Sequence, residues 1–215
     1  MIIIKGIIVK KVVVALSLLL SSQLHAAENN VGENVNEPDA QWQWSLAINS
    51  HAFDDSVAFE GIDDSAIGFS AHIDYIKNSW LTTVSAEYVS YDDNNEFSQD
   101  VVGSGFTNRG DVSRESSDAS GFLLGVALGK IYYVGNEQDV AVFGQVGVDV
   151  MTASERSISL CDDCRSEDID VDGGVYLRAG VTKDTGYFNL GFHAKAYVTG
   201  DSLNTAFGIS AGSTF

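Results

Sequence analysis

The chain has 215 residues, with 30 acids against 12 bases, a formal net charge of −18, one proline, 21 glycines and two cysteines. That length suits a single domain, and so acidic a surface repels a nucleic-acid backbone, which excludes nucleic acid as a partner. Average hydropathy is uninformative here, because alternating polar and apolar residues cancel in any window.

Residues 1–27 carry Lys5, Lys10 and Lys11, no acid, an apolar run from Val12 to Leu20, and a small-residue end at Ala26 and Ala27. A basic start, a short apolar core and small residues describe a secretory signal peptide cut after Ala26 or Ala27. Lys10 and Lys11 interrupt the apolar stretch, which falls short of the roughly 20 residues of a spanning helix. Export would place Cys161 and Cys164 in an oxidising compartment. Residues 28–40 follow as an acidic, asparagine-rich, flexible lead-in holding Pro38.

From Gln41 to Phe215 the apolar residues fall on alternate positions, the mark of strands with two unlike faces. The first strand carries Trp42, Trp44, Leu46 and Ile48; the second Ile67, Phe69, Ala71, Ile73 and Tyr75; the third Trp80, Thr82, Val84, Ala86 and Tyr88. The fourth has Phe122, Leu124, Val126 and Leu128, the fifth Val140, Val142, Val146, Val148 and Val150, and the sixth Val175, Leu177, Ala179 and Val181. The seventh has Phe188, Leu190, Phe192, Ala194, Ala196 and Val198, and the eighth Phe207, Ile209, Ala211, Ser213 and Phe215.

A soluble sandwich also alternates, so the connections and the aromatics decide. Links after even-numbered strands are short (Ile76 to Ser79, Tyr133 to Asp139, Lys183 to Gly186). Those after the first three odd-numbered strands are long and acidic: Asn49 to Ser65, Asp92 to Ser120, and Thr152 to Ile169. Short turns at one end and long loops at the other fit an outer-membrane barrel. With the N-terminus periplasmic, Trp42, Tyr75, Trp80, Phe188 and Phe215 ring one end of the apolar face, and Phe69, Tyr88, Phe122 and Phe207 the other. Two aromatic girdles belong to a bilayer rather than to a sandwich core. The expected fold is all-β, an eight-stranded antiparallel up-and-down transmembrane β-barrel spanning 41–215.

On these residues the chain resembles the small eight-stranded outer-membrane proteins of Gram-negative bacteria, such as OmpX and the transmembrane domain of OmpA. The likeness rests on architecture over Gln41 to Phe215. Its sharpest element is the closing run Phe207, Ile209, Ala211, Ser213 and Phe215, which looks like the C-terminal strand signal read by the outer-membrane assembly machinery, with Phe215 its last residue. The resemblance implies a monomer in the cell outer membrane, in contact with outer-membrane lipids and lipopolysaccharide. Relatives include lipid enzymes and adhesins.

Eight strands enclose a lumen that side chains just fill. Unpaired charge there is costly, so Asp74, Glu87 and Asp149 should be met by Arg178 and Lys195, with His72 and His193 as further partners. A narrow channel is the alternative to this polar core. Lipid A acyl chemistry would need a His, a Ser and an acid at the outer rim; His51 with Asp54, Asp55 and Ser56 is the thin constellation on offer, and no catalytic or cofactor-binding set is assigned. Cys161 and Cys164 bracket Asp162 and Asp163 in the third outer loop and read as a small disulfide. Asp168, Asp170, Asp172 and Gly173 open like an EF-hand loop, yet Ala179 stands where the bidentate Glu belongs. What remains is a weak divalent-cation candidate at Asp162, Asp163, Glu167, Asp168, Asp170 and Asp172. The function expected is a structural or surface-interaction role with acidic loops outside and no open pore.

Overall fold

The computed structural model describes residues 40–102, 112–135, 139–158 and 164–214. The expected signal peptide, nearly all of the expected lead-in, Cys161, Asp162, Asp163 and Phe215 therefore lie outside the described residues. The strands in chain order are β1 (Gln41–Phe53), β2 (Ile62–Lys77), β3 (Trp80–Asp93), β4 (Ser98–Val102), β5 (Val112–Ser116), β6 (Asp118–Val134), β7 (Val140–Ser157), β8 (Ser166–Asp168), β9 (Gly174–Asp184), β10 (Asn189–Tyr197) and β11 (Leu203–Thr214). Eight of them, β1, β2, β3, β6, β7, β9, β10 and β11, pair antiparallel in that order, and β1 pairs with β11 from Gln43↔Thr214 to Phe53↔Leu203. The ring is closed, so none of the eight is left with a bare edge. β4 and β5 form a separate hairpin, and β8 adds to the outer end of β7.

Alternation sends one set of side chains outward. Leu46, Ile48, Phe69, Val84, Leu124, Val146 and Ile209 are exposed, while Ala47, Asn49, Ser70, Leu123 and Asp149 are buried. The strand register lines Phe192, Ile209, Ile48, Phe69, Tyr88 and Phe122 into one row across six strands. Trp42, Trp80 and Phe188 stand exposed at the opposite end. From Trp80 to Tyr88 the belt runs about 26 Å along β3, or about 20 Å of height at the usual barrel tilt. A continuous apolar belt of this kind is tolerated in lipid and not in water. The barrel is of the transmembrane type.

The outer loops are shorter than the sequence suggests. β1 continues to Phe53 and β2 begins at Ile62, which shrinks the expected loop of Asn49 to Ser65 to residues 54–61, most of it a 3-10 turn over Asp55–Glu60. The expected loop from Asp92 to Ser120 contains β4 and β5, and the one from Thr152 to Ile169 contains the end of β7 and β8. Polarity inverts in these extensions. Phe53, Ile62, Val89 and Tyr91 point into the barrel and are buried, whereas Ser90 and Asp92 point out. Above the bilayer the outer face meets water and the lumen becomes the apolar core, so a search for outward apolar residues stops too early.

At the bulge in β7, Phe122 pairs with Ala153 and Leu123 with Met151, leaving Thr152 without a partner residue. One extra residue exchanges the two faces beyond it. Arg156 consequently points inward.

Candidate functional site

The lumen is the candidate site, and it has three layers. An apolar cluster of Phe53, Val57, Ile62, Val89, Tyr91, Leu123, Ile169, Val171, Tyr176, Tyr197 and Leu203 with their neighbours fills the outer part. A smaller one, Ile76, Leu81, Ile131 and Ala141 with Phe143 against it, packs toward the opposite end, on the side of β2, β3, β6 and β7. Between them runs a belt of buried polar groups.

Glu87 is the centre of one half of the belt. Its Oε1 accepts from Asn49 Nδ2 at 2.6 Å and from His51 Nε2 at 2.7 Å. Lys195 Nζ lies 4.0 Å from Glu87 Oε2 and donates to Asp149 Oδ2 at 2.9 Å. The Tyr197 hydroxyl donates to the same Asp149 oxygen at 2.5 Å, and Lys195 sits 4.6 Å from the Tyr176 ring centre. Glycine makes room for these carboxylates. A Cβ at Gly68 would collide with Glu87 Oε1, and one at Gly125 with Asp149 Oδ1.

Asn49 Nδ2 also donates to Ser70 Oγ at 3.0 Å, and Ser70 Oγ lies 2.8 Å from His72 Nε2. Arg178 Nη2 is 3.2 Å from His72 Nδ1. Because Arg can only donate, Nδ1 accepts and the ring proton sits on Nε2, which donates to Ser70. Arg178 Nη1 donates to Gln145 Oε1 at 3.3 Å, Gln145 Nε2 donates to Thr83 Oγ1 at 2.8 Å, and Thr83 donates to Asp74 Oδ1 at 2.5 Å. One hydrogen-bonded chain therefore joins Asp74 to Glu87 through Thr83, Gln145, Arg178, His72, Ser70 and Asn49, and the 4.0 Å ion contact of Glu87 with Lys195 links it to Asp149.

Lys195 meets Asp149 and Glu87 as expected, and the other pairings differ. Glu87 is met by His51 as well as Lys195, whereas Asp74 reaches Arg178 only through Thr83 and Gln145. His72 touches no carboxylate. His193 Nε2 and Arg178 Nε have no hydrogen-bond partner, and both residues line a cavity of about 30 Å³ beside Asp74, Ser45, Thr182 and Ser210. That volume would hold a water.

His51 is 1% exposed and faces the lumen, so it does not form a rim constellation with Asp54, Asp55 and Ser56. Ser56 Oγ instead donates to the Asp201 carbonyl at 2.5 Å. The signal was available: His51 shares the parity of Ala47 and Asn49.

At the outer end Arg156, which the sequence places only among the outer-loop arginines, is 2% exposed and a cation of the outer core. Its Nε donates to Asp93 Oδ2 at 2.6 Å and its Nη2 to the Glu60 carbonyl at 2.9 Å, with Glu167 at 3.9 Å from Nη1. The hydrogen bond to Asp93 holds the guanidinium proton even more firmly than usual.

Of the acids expected to bind a cation, the described ones, Glu167, Asp168, Asp170 and Asp172, do not converge. Asp168, Asp170 and Asp172 are exposed, with Ile169 and Val171 buried between them, and Glu167 leans toward Arg156 and Arg165. Among the described residues no three His, Cys, Asp or Glu side chains are grouped to hold a metal. Cys164 is disulfide-bonded.

No family model and no curated protein matches the chain. Among solved structures it is similar to Ail, the attachment invasion locus protein of Yersinia pestis, in complex with the heparin analogue sucrose octasulfate. The identity is 16% over 82% of this chain and 99% of that one, with a TM-score of 0.49. It is also similar to Neisserial surface protein A (NspA), at 16% identity over 81% of this chain and 97% of that one, with a TM-score of 0.44. The closed ring, the apolar outer belt and the filled lumen make the chain an eight-stranded antiparallel up-and-down transmembrane β-barrel on its own geometry.

Proposed function

We propose that this chain is an integral outer-membrane surface protein, in contact with lipopolysaccharide, whose barrel is a sealed scaffold for acidic external loops. The observation that carries this reading is the packed lumen, with a large apolar cluster toward the outer end, a smaller one toward the other and the ionic belt between them. Ions crossing the barrel would have to pass the outer apolar cluster, where an unpaired charge costs several kcal/mol. His51, His72 and His193 all point into the lumen, away from any lipid ester, which argues against lipid A acyl chemistry.

Planar bilayers containing the refolded chain should show no discrete conductance. Steps of uniform size would overturn the sealed-scaffold reading. Topology has its own test: protease added to intact cells should cut within 94–117 and spare the barrel strands, whereas cutting only after the outer membrane is opened would reverse the orientation.

The acids outside give the rim its chemistry. Carboxylates facing an anionic lipopolysaccharide surface repel it, and Ca²⁺ or Mg²⁺ between them relieves that repulsion. With no cage among the described residues, these ions act as loose counter-ions, with affinities of about 10⁻⁴ to 10⁻³ M. Calorimetry with Ca²⁺ on the chain, and on a variant with Asp162, Asp163, Glu167, Asp168, Asp170 and Asp172 neutralised, should show weak heats that the variant loses. Equal heats would remove cations from the reading.

A further inference from the structure

The outward face of the barrel distributes its charge unevenly. Among the described outward-facing positions of the eight barrel strands, Lys77, Lys130 and Lys183 are the only Lys or Arg residues, and all three stand at the periplasmic end. The outer end of the same face offers Ser90, Asp92, Asp118, Ser120 and Glu155 instead. Among the described residues, the lipid-facing cations of this acidic chain all stand on one leaflet.

Two of these lysines are organised around a tryptophan. The β2–β3 hairpin turns through Asn78 and Ser79, both with positive φ (50° and 60°), as a two-residue hairpin turn of primed type requires. That tight turn sets Lys77 directly opposite Trp80, and Trp80 pairs in turn with Lys130. The three side chains form one row across β2, β3 and β6, at the inner edge of the apolar belt. Lys130 Nζ lies 4.1 Å from the Trp80 ring centre, so the ring steers the ammonium group. Lys183 differs: its Nζ is 3.5 Å from Asp139. Among the described residues neither Lys77 nor Lys130 has a carboxylate within ion-pairing distance.

We propose that the Lys77–Trp80–Lys130 row binds the phosphate headgroup of an anionic glycerophospholipid in the periplasmic leaflet. The inference rests on the transmembrane reading given above. Lysine stems lie along the apolar belt while their ammonium groups reach the headgroup layer, and a tryptophan ring sits naturally at that depth. Two ammonium groups with no carboxylate partner among the described residues, held a strand's width to either side of one ring, converge on a single negative headgroup. Each lysine near an anionic membrane surface favours it by about fivefold.

The test uses Trp80 as its own reporter. In a W42F/W44F background, the full chain is refolded into phosphatidylcholine bilayers containing brominated phosphatidylglycerol or brominated phosphatidylcholine, and quenching of Trp80 is compared. Brominated phosphatidylglycerol should quench as though enriched at least about fivefold beside the ring. The preference should fall to near one in K77Q/K130Q, which keeps the heat-modifiable barrel, and should weaken in about 0.5 M salt. Equal quenching by the two lipids, or a preference that survives K77Q/K130Q, would overturn the lipid site while leaving the barrel in the membrane. Absence of quenching by either lipid would overturn the transmembrane placement and the lipid site together.

Discussion

Replacing Glu87 by Ala should lower the unfolding free energy of the refolded barrel by about 3–5 kcal/mol, the cost of breaking a buried ion pair from one side. Glu87 takes the hydrogen bonds of Asn49 and His51 on one oxygen and faces Lys195 with the other. Ala leaves His51 Nε2 buried without its acceptor and Lys195 without its second carboxylate, while Asn49 keeps Ser70 and Lys195 keeps Asp149, in a layer packed between the two apolar clusters. Gln, which keeps an acceptor oxygen of the same reach, should lose clearly less. Urea titration in detergent micelles, followed by the heat-dependent gel shift, measures both. A loss below about 1 kcal/mol for E87A would mean that water enters the belt, and that result would also weaken the sealed-scaffold reading.

Arg156→Ala should cost about 3 kcal/mol, near the lower end of that range, since Glu167 and the outer segments remain close to solvent. The guanidinium ties Asp93 at the end of β3 to the Glu60 carbonyl before β2 and approaches Glu167 in β8. Removing it strands the Asp93 carboxylate, whose side chain is 8% exposed. Arg156→Lys retains the charge but not the forked donors, so it should fall between the two. Protease digestion of the refolded variants separates the consequences: R156A should be cut faster around residues 54–61 and 164–173 while the membrane strands stay protected. Wild-type cutting rates would show that Arg156 does not hold these segments together.

Much of this architecture is legible in one dimension. Outward residues such as Leu46, Ile73, Val84, Leu124, Val148 and Ile209 must be apolar because lipid covers them, and period-two alternation is how a strand records that demand. The same parity marks Asp74, Glu87, Asp149, Arg178 and Lys195 as lumenal before any contact is known. Lipid contact is a property of one residue and its strand, so the sequence alone reveals it.

Partnership is not such a property. Which acid meets which base depends on register across the ring, and no sequence spacing reports that His51 reaches Glu87 36 residues away or that Gln145 stands between Arg178 and Thr83. Arg156 shows the limit most sharply. Its parity in an unbroken β7 would point it outward, and only the bulge at Thr152 turns it into the outer core. The strand extensions are hidden for a related reason, because above the bilayer the apolar side of each strand moves from the outer face to the lumen. Sequence by itself determined the barrel and its two faces, through the solvent each face meets; tertiary structure alone decided the pairings, the bulge and the two apolar clusters, because those arise from strands brought together by ring closure.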